Sequence, residues 1–260
     1  MSALDKYARA VARGGLCVGL DVEPARLPAA VGGDSLQFLR GIIDATADVA
    51  GAYKVNAAFF EAQGAAGWQL LAQVRRAVPS DTLLILDGKR GDIESSNRAY
   101  ARAAFDELGV DAVTVHPYLG LEPLQPFVER ADRLTFVLCA TSEGRALQSL
   151  RLASGEPVYL WVARQVAALR RAHCGLVVGA TASAELAAVR ALAPGLPLLV
   201  PGVGAQGGAW PPGAALVNVS RSLLYASSGP DFAAAAREKA QALLAAQVPP
   251  NGGKKESSHV

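Results

Sequence analysis

Residues 82–98 read Thr-Leu-Leu-Ile-Leu-Asp-Gly-Lys-Arg-Gly-Asp-Ile-Glu-Ser-Ser-Asn-Arg. The run Leu83 to Leu86 is apolar and short, as a buried strand should be. Four charges then arrive within six residues: Asp87, Lys89, Arg90 and Asp92. A buried strand that ends in charge ends at a site. Residues i and i+2 of a strand face the same way, so Asp87 and Lys89 are expected to share one pocket. Asp92 follows Gly91, where the chain turns toward a helix. The plain alternative is a solvated charged loop, and the strand before and helical segment after count against it.

The same rhythm extends in both directions. Residues 3–13 predict a short leading helix stopped by Gly14-Gly15. Strands are predicted at 16–20, 52–55, 83–86, 112–115, 134–139, 176–178, 198–200 and 216–219. Helices are predicted at 35–49, 61–78, 93–108, 123–131, 157–172, 183–192 and 232–247. The strands are apolar and rarely alternate, as parallel strands buried on both faces should be. Eight of them alternating with helices point to an α/β protein with a (β/α)8 TIM barrel spanning residues 1–248. Residues 249–260 are polar and carry Pro and Gly, and are expected to form a disordered tail. A doubly wound sheet is the second choice. It would ordinarily place a Gly-rich loop after the first strand, and Asp21-Val22-Glu23 is not one.

Composition narrows the function. The chain has 260 residues, of which 51% are hydrophobic and 18% charged, with a formal net charge of +2. That supports a full core and offers no basic stripe, and aromatics at 6% give little for base stacking, so nucleic acid is not implied. No apolar window approaches the ~20 residues of a membrane span. Met1 to Gly15 lacks the apolar region of a secretion signal. Cys17, Cys139 and Cys174 each sit in an apolar run without ligand spacing and read as buried thiols in a reducing compartment. A cytoplasmic protein is expected.

Polar residues gather where the strands end: Asp21, Lys54, Asp87 with Lys89, His116, Thr141 with Ser142, Gln206 and Arg221. In a barrel those ends form one face, which carries the active site. Lys54, Asp87, Lys89 and Asp92 make an alternating charge set in which each group can stay ionised beside an opposite neighbour. Such a set would hold a lysine ready to donate a proton and would repel a carboxylate placed beside an aspartate. Taken alone, Lys54 could equally be a strand-end lysine reaching solvent. Residues 201–208, Pro-Gly-Val-Gly-Ala-Gln-Gly-Gly, hold four glycines and no acid, so their amides and Gln206 can surround a phosphate. Arg221, after the eighth strand, adds a bidentate charge at the usual barrel phosphate site.

The sequence resembles the orotidine 5'-phosphate decarboxylase family, in particular a subgroup with a K-R-G-D-I core. The matching stretches are Gly19-Leu20-Asp21, Tyr53-Lys54-Val55-Asn56 with Ala58-Phe59-Phe60-Glu61, Asp87 to Ile93, Pro201 to Gly208 and Asn218-Val219-Ser220-Arg221. The D-x-K-x-x-D motif is shared by a wider barrel group; its combination with Lys54 and the P-G-V-G-A-Q-G-G loop is more specific. The resemblance implies that Lys89 protonates the ring carbon that loses carbon dioxide. It implies that Asp87 sits against the departing carboxylate, with Lys54 holding Asp87 and the ribose. Asp92 would reach the ribose in the partner subunit's site of a homodimer. Asp21 would bind ribose hydroxyls, Thr141-Ser142 the pyrimidine with Ser142 the better candidate, and Gln206 and Arg221 the phosphate. Ser96 stands where the family often has threonine and keeps the hydroxyl. The substrate would be orotidine 5'-monophosphate, with no metal and no cofactor. Two alternatives are a magnesium-dependent sugar-phosphate synthase or decarboxylase of the same barrel group, and a non-catalytic nucleotide-binding barrel.

Overall fold

Eight short runs that are apolar on both faces must be covered on both faces, and the chain does this by closing them into a ring. The computed structural model describes residues 1–141, 145–203, 208–213 and 215–247. Its strands are β1 Leu16–Gly19, β2 Ala52–Asn56, β3 Leu83–Arg90, β4 Ala112–Val115, β5 Leu134–Ala140, β6 Cys174–Val178, β7 Leu198–Pro201 and β8 Leu216–Val219. They close in sequence order into a barrel with every pair parallel and β8 bonded back to β1. This is the (β/α)8 barrel expected from the pattern.

Alternation divides the strand residues between two cores. Outward side chains such as Val18, Tyr53, Leu84 and Val113 pack with helix faces such as Phe38, Leu39 and Ile42. Inward side chains such as Cys17, Ile85, Ala112 and Phe136 fill the barrel and meet Ala3, Tyr7 and Ala10 of the leading helix, Ala3–Ala12. That helix is capped by Ser2, whose hydroxyl accepts the Asp5 N–H at 3.2 Å. It is anchored by Lys6 Nζ, 2.6 Å from Asp111 Oδ1 just before β4, and by the Tyr7 hydroxyl, which accepts the Leu198 N–H at 2.7 Å. The N-terminal mouth is therefore plugged, and the opposite mouth is left for ligands.

Several helices differ from expectation. The helix expected at 61–78 is two, Ala57–Glu61 and Gly64–Ala77. Gly64 has φ +62°, in the left-handed region that favours glycine, and it marks the break. The helix expected at 93–108 runs over Glu94–Ala101 and then widens into π-type turns at Arg102–Glu107. The helix expected at 123–131 is a 3₁₀ turn, Glu122–Leu124, followed by Gln125–Val128. A short helix at Arg221–Leu224 was not expected. The 249–260 tail lies outside the described residues. Among the described residues no helix is long and apolar enough to cross a membrane.

Candidate active site

β2 carries Lys54 inward near its C-terminal end, and only 4% of that side chain is exposed. Burial would favour the neutral amine, so the ammonium needs counter-charges. It has two: Asp87 Oδ2 at 3.1 Å and Asp21 Oδ1 at 3.7 Å. Burial pushes the Lys54 pKa down, but Asp21 and Asp87 outweigh it and hold the amine above its ordinary value. Asp87 shows the converse. Burial would raise its pKa, yet Lys54, Lys89 and hydrogen bonds from Lys89 and Thr114 keep the carboxyl well below the ordinary range. Asp87 Oδ1 accepts from Lys89 Nζ at 2.8 Å and from the Thr114 hydroxyl at 2.7 Å. Asp21 Oδ1 accepts the Asn56 N–H at 3.0 Å, and Oδ2 accepts the Ser220 hydroxyl at 2.8 Å.

Lys89 reaches this cluster by a different route from simple strand alternation. Its φ is +46°, and the β3–β4 register shifts between Leu86 and Arg90. The strand thus continues past Leu86 through a bulge that re-aims its side chains. Lys89 and Asp87 still converge, but a left-handed residue held by its neighbours brings them together. Gly91 is needed just beyond: a Cβ there would lie 2.6 Å from the His116 carbonyl oxygen. Lys89 remains 47% exposed at its side chain, so it is the member of the cluster open to a ligand.

These groups border a cavity of about 560 Å³ at the C-terminal mouth. Phe59, Leu138, Val177 and Leu199 line it with apolar surface; Asn56, Thr141, Asn218, Ser220 and Arg221 add polar groups. Gly202 and Val203, at the start of the glycine-rich loop, lie on the rim with Arg221. Beneath the charges Cys17 is fully buried, and burial pushes its thiol up to about 12. Cys139 and Cys174 are likewise buried and unbridged. Among the described residues no group of three or more His, Cys, Asp or Glu side chains is placed to hold a metal ion.

The profile of the orotidine 5'-phosphate decarboxylase / HUMPS family matches residues 14–238. The chain belongs to that family. A protein of Herpetosiphon aurantiacus named orotidine 5'-phosphate decarboxylase is 52% identical over 245 residues, covering 89% of this chain and 92% of that one. The solved Leishmania donovani OMP decarboxylase superimposes with a TM-score of 0.80 at 40% identity, over 94% of this chain and 99% of that one. The Leishmania donovani UMP synthase gives a TM-score of 0.82 at 40% identity, with 94% of this chain covered, and this chain spans 57% of its length.

In this member of the orotidine 5'-phosphate decarboxylase / HUMPS family, Asp21, Lys54, Asp87, Lys89, Thr141 and Arg221 all border one cavity. Ser142 and Gln206 lie outside the described residues. Asp92 and Ser96 do not line their own chain's cavity. Asp92 Oδ1 accepts the N–H of Ile93 at 2.7 Å, and Ser96 is half-buried in the helix that follows. His116, expected with the strand-end polar set, borders a separate apolar pocket with Tyr118 and Trp161. Within one chain, then, Asp21 is the second carboxylate of Lys54. Thr114 was missed, and Asn56, Asn218 and Ser220, although part of the matching stretches, were given no role at the site. Three of them sit inside strands or at strand ends among apolar neighbours, where only the inward register reveals them.

Proposed function

We propose that this barrel decarboxylates orotidine 5'-monophosphate to uridine 5'-monophosphate, within pyrimidine biosynthesis. The observation that carries the reading is Lys89 Nζ, 2.8 Å from an Asp87 backed by Lys54, in a cavity that Arg221 also borders. The bond between the ring carbon and the carboxylate breaks, and its electron pair stays on that carbon. Lys89 stabilises the developing charge and delivers its proton to the same carbon. Carbon dioxide leaves, and the lysine regains a proton from water. Nothing else is oxidised, reduced or consumed.

Asp87 is kept ionised by its two lysines and by Thr114. A substrate carboxylate set against it is repelled, and the repulsion ends as carbon dioxide departs. Lys54 holds Asp87 and Asp21 in place and faces the ribose with Asp21. Arg221 and Gln206 bind the phosphate, and Ser142, with Thr141 beside it, meets the pyrimidine. Remote phosphate binding then supplies energy for closure over the ring. Asp92 completes the site of a partner subunit in a homodimer, and Ser96 supplies a hydroxyl for substrate binding. A single barrel domain and a cytoplasmic location complete the proposal, and three buried free thiols fit a reducing compartment.

The magnesium-dependent alternative needs carboxylates free to meet a cation. Here Lys54 already lies between Asp21 and Asp87, where a metal would be repelled. We therefore propose turnover without metal. The expected result is loss of orotate absorbance at an undiminished rate in EDTA. Chelator-abolished turnover that magnesium restores would select the alternative instead.

A further inference from the structure

We propose that Thr114 is a positioning residue that sets the geometry of the Asp87–Lys89 pair, an inference that rests on the role given above to Lys89. Thr114 sits inward on β4, two residues after Ala112, and is 1% exposed. A hydroxyl offers one donor and two acceptor sites. Thr114 uses both kinds: it donates to Asp87 Oδ1 at 2.7 Å and accepts the backbone N–H of Lys89 at 3.0 Å. One side chain therefore fixes the carboxylate and the main chain of the lysine bonded to it.

The strand itself does not do this. The β3–β4 ladder pairs Leu86 with Val113 and then Arg90 with Val115, skipping the residues between. The β2–β3 pairing ends at Asp87. Thr114 supplies the partner that the interrupted ladder leaves out. It also supports Lys89 at φ +46°, a conformation a lysine keeps only when its surroundings impose it. Removing the hydroxyl frees Asp87 Oδ1 to turn and lets the backbone of Lys89 relax, so the ammonium no longer points at a fixed spot. A misplaced proton donor lowers the chemical step more than it lowers binding.

The test compares Thr114→Val, which keeps the shape, with Thr114→Ser, which keeps the hydroxyl; Thr114→Ala replaces the valine variant if that one does not fold. Thr114→Val should lose about 10- to 100-fold in kcat. Its KM, and its Kd for uridine 5'-monophosphate, should stay within about threefold of wild type. Thr114→Ser should recover most of kcat. Independently of turnover, the Lys89 amide should exchange its hydrogen roughly tenfold faster in the valine variant and near the wild-type rate in the serine variant. An inactive wild-type protein would count against the decarboxylase reading, and the amide exchange would still decide the role of Thr114. Wild-type kcat in Thr114→Val, equal losses in the valine and serine variants, a loss confined to KM, or unchanged exchange at Lys89 would each overturn the inference.

Discussion

At Lys54 a side chain that is 4% exposed carries a charge 3.1 Å from one carboxylate and 3.7 Å from another. Lys54→Met should therefore leave Asp21 and Asp87 without their common counter-charge, at a cost of about 3 kcal/mol at neutral pH. The pH dependence distinguishes charge from packing. In the wild type the folded pKa of Asp87 lies below its ordinary 3.8, so its stabilisation is present above that value and lost as pH falls through the folded one. The raised Lys54 contributes fully below its ordinary 10.5 and loses its contribution only as pH rises through the higher folded value. Between about pH 4.5 and 7 these two groups leave wild-type stability flat. In the variant, Asp87 loses the Lys54 charge that helped hold its carboxyl down, and burial then pushes it up, so stability returns as pH falls. Denaturant unfolding at both pH values should show the gap to wild type narrowing in acid. An equal gap at both would mean that Lys54 acts by packing. Lys54, Asp87 and Lys89 were legible in the sequence because charge interrupts an apolar run. Thr114 and Asn218 were not, since each lies between apolar neighbours and only the barrel's register shows that they point inward.

At the scale of elements, the eight strands and the longer helices followed from period and punctuation, while short helices and the ends of elements followed from contacts that no local pattern carries. The run Leu83 to Leu86 marked β3, but the strand continues to Arg90 because β4 supports its bulge. The turn after it depends on Asn97, which reads from sequence as one more helix residue. Asn97 is fully buried. Its Oδ1 accepts the Asp92 N–H at 3.0 Å, and its Nδ2 donates to the carbonyls of Asp92 at 2.6 Å and Pro123 at 2.8 Å. One amide thus ties the Asp92 turn to the next βα unit. Asn97→Ala should cost about 1–3 kcal/mol, because it leaves partly buried backbone groups unpaired. Hydrogen exchange should quicken over residues 90–98 and stay unchanged in β1 and β6. Uniform acceleration across the barrel would show a general loss of core stability, with no special hold on the turn.

At the scale of the whole molecule, the question is what Asp92 is for. It lies outside its own chain's cavity, yet its backbone is fixed on both sides by Asn97. The neighbouring Ile93 is 59% exposed, and on the adjacent loop Tyr118 is 76% exposed. Apolar side chains in that position fit burial against a second copy. If Asp92 serves the partner's site, Lys89→Ala and Asp92→Ala chains should complement when mixed. A mixed dimer then has one site with both lesions and one with neither. The intact site restores up to half the wild-type activity per mixed dimer, or about one quarter of the total after random exchange of equal amounts, since about half of the dimers are then mixed. Partial unfolding and refolding allows exchange, and mass-tagged subunits confirm it. The separate variants set the baseline. Activity that stays at that baseline after confirmed exchange would mean that Asp92 works within its own subunit and that no site is shared.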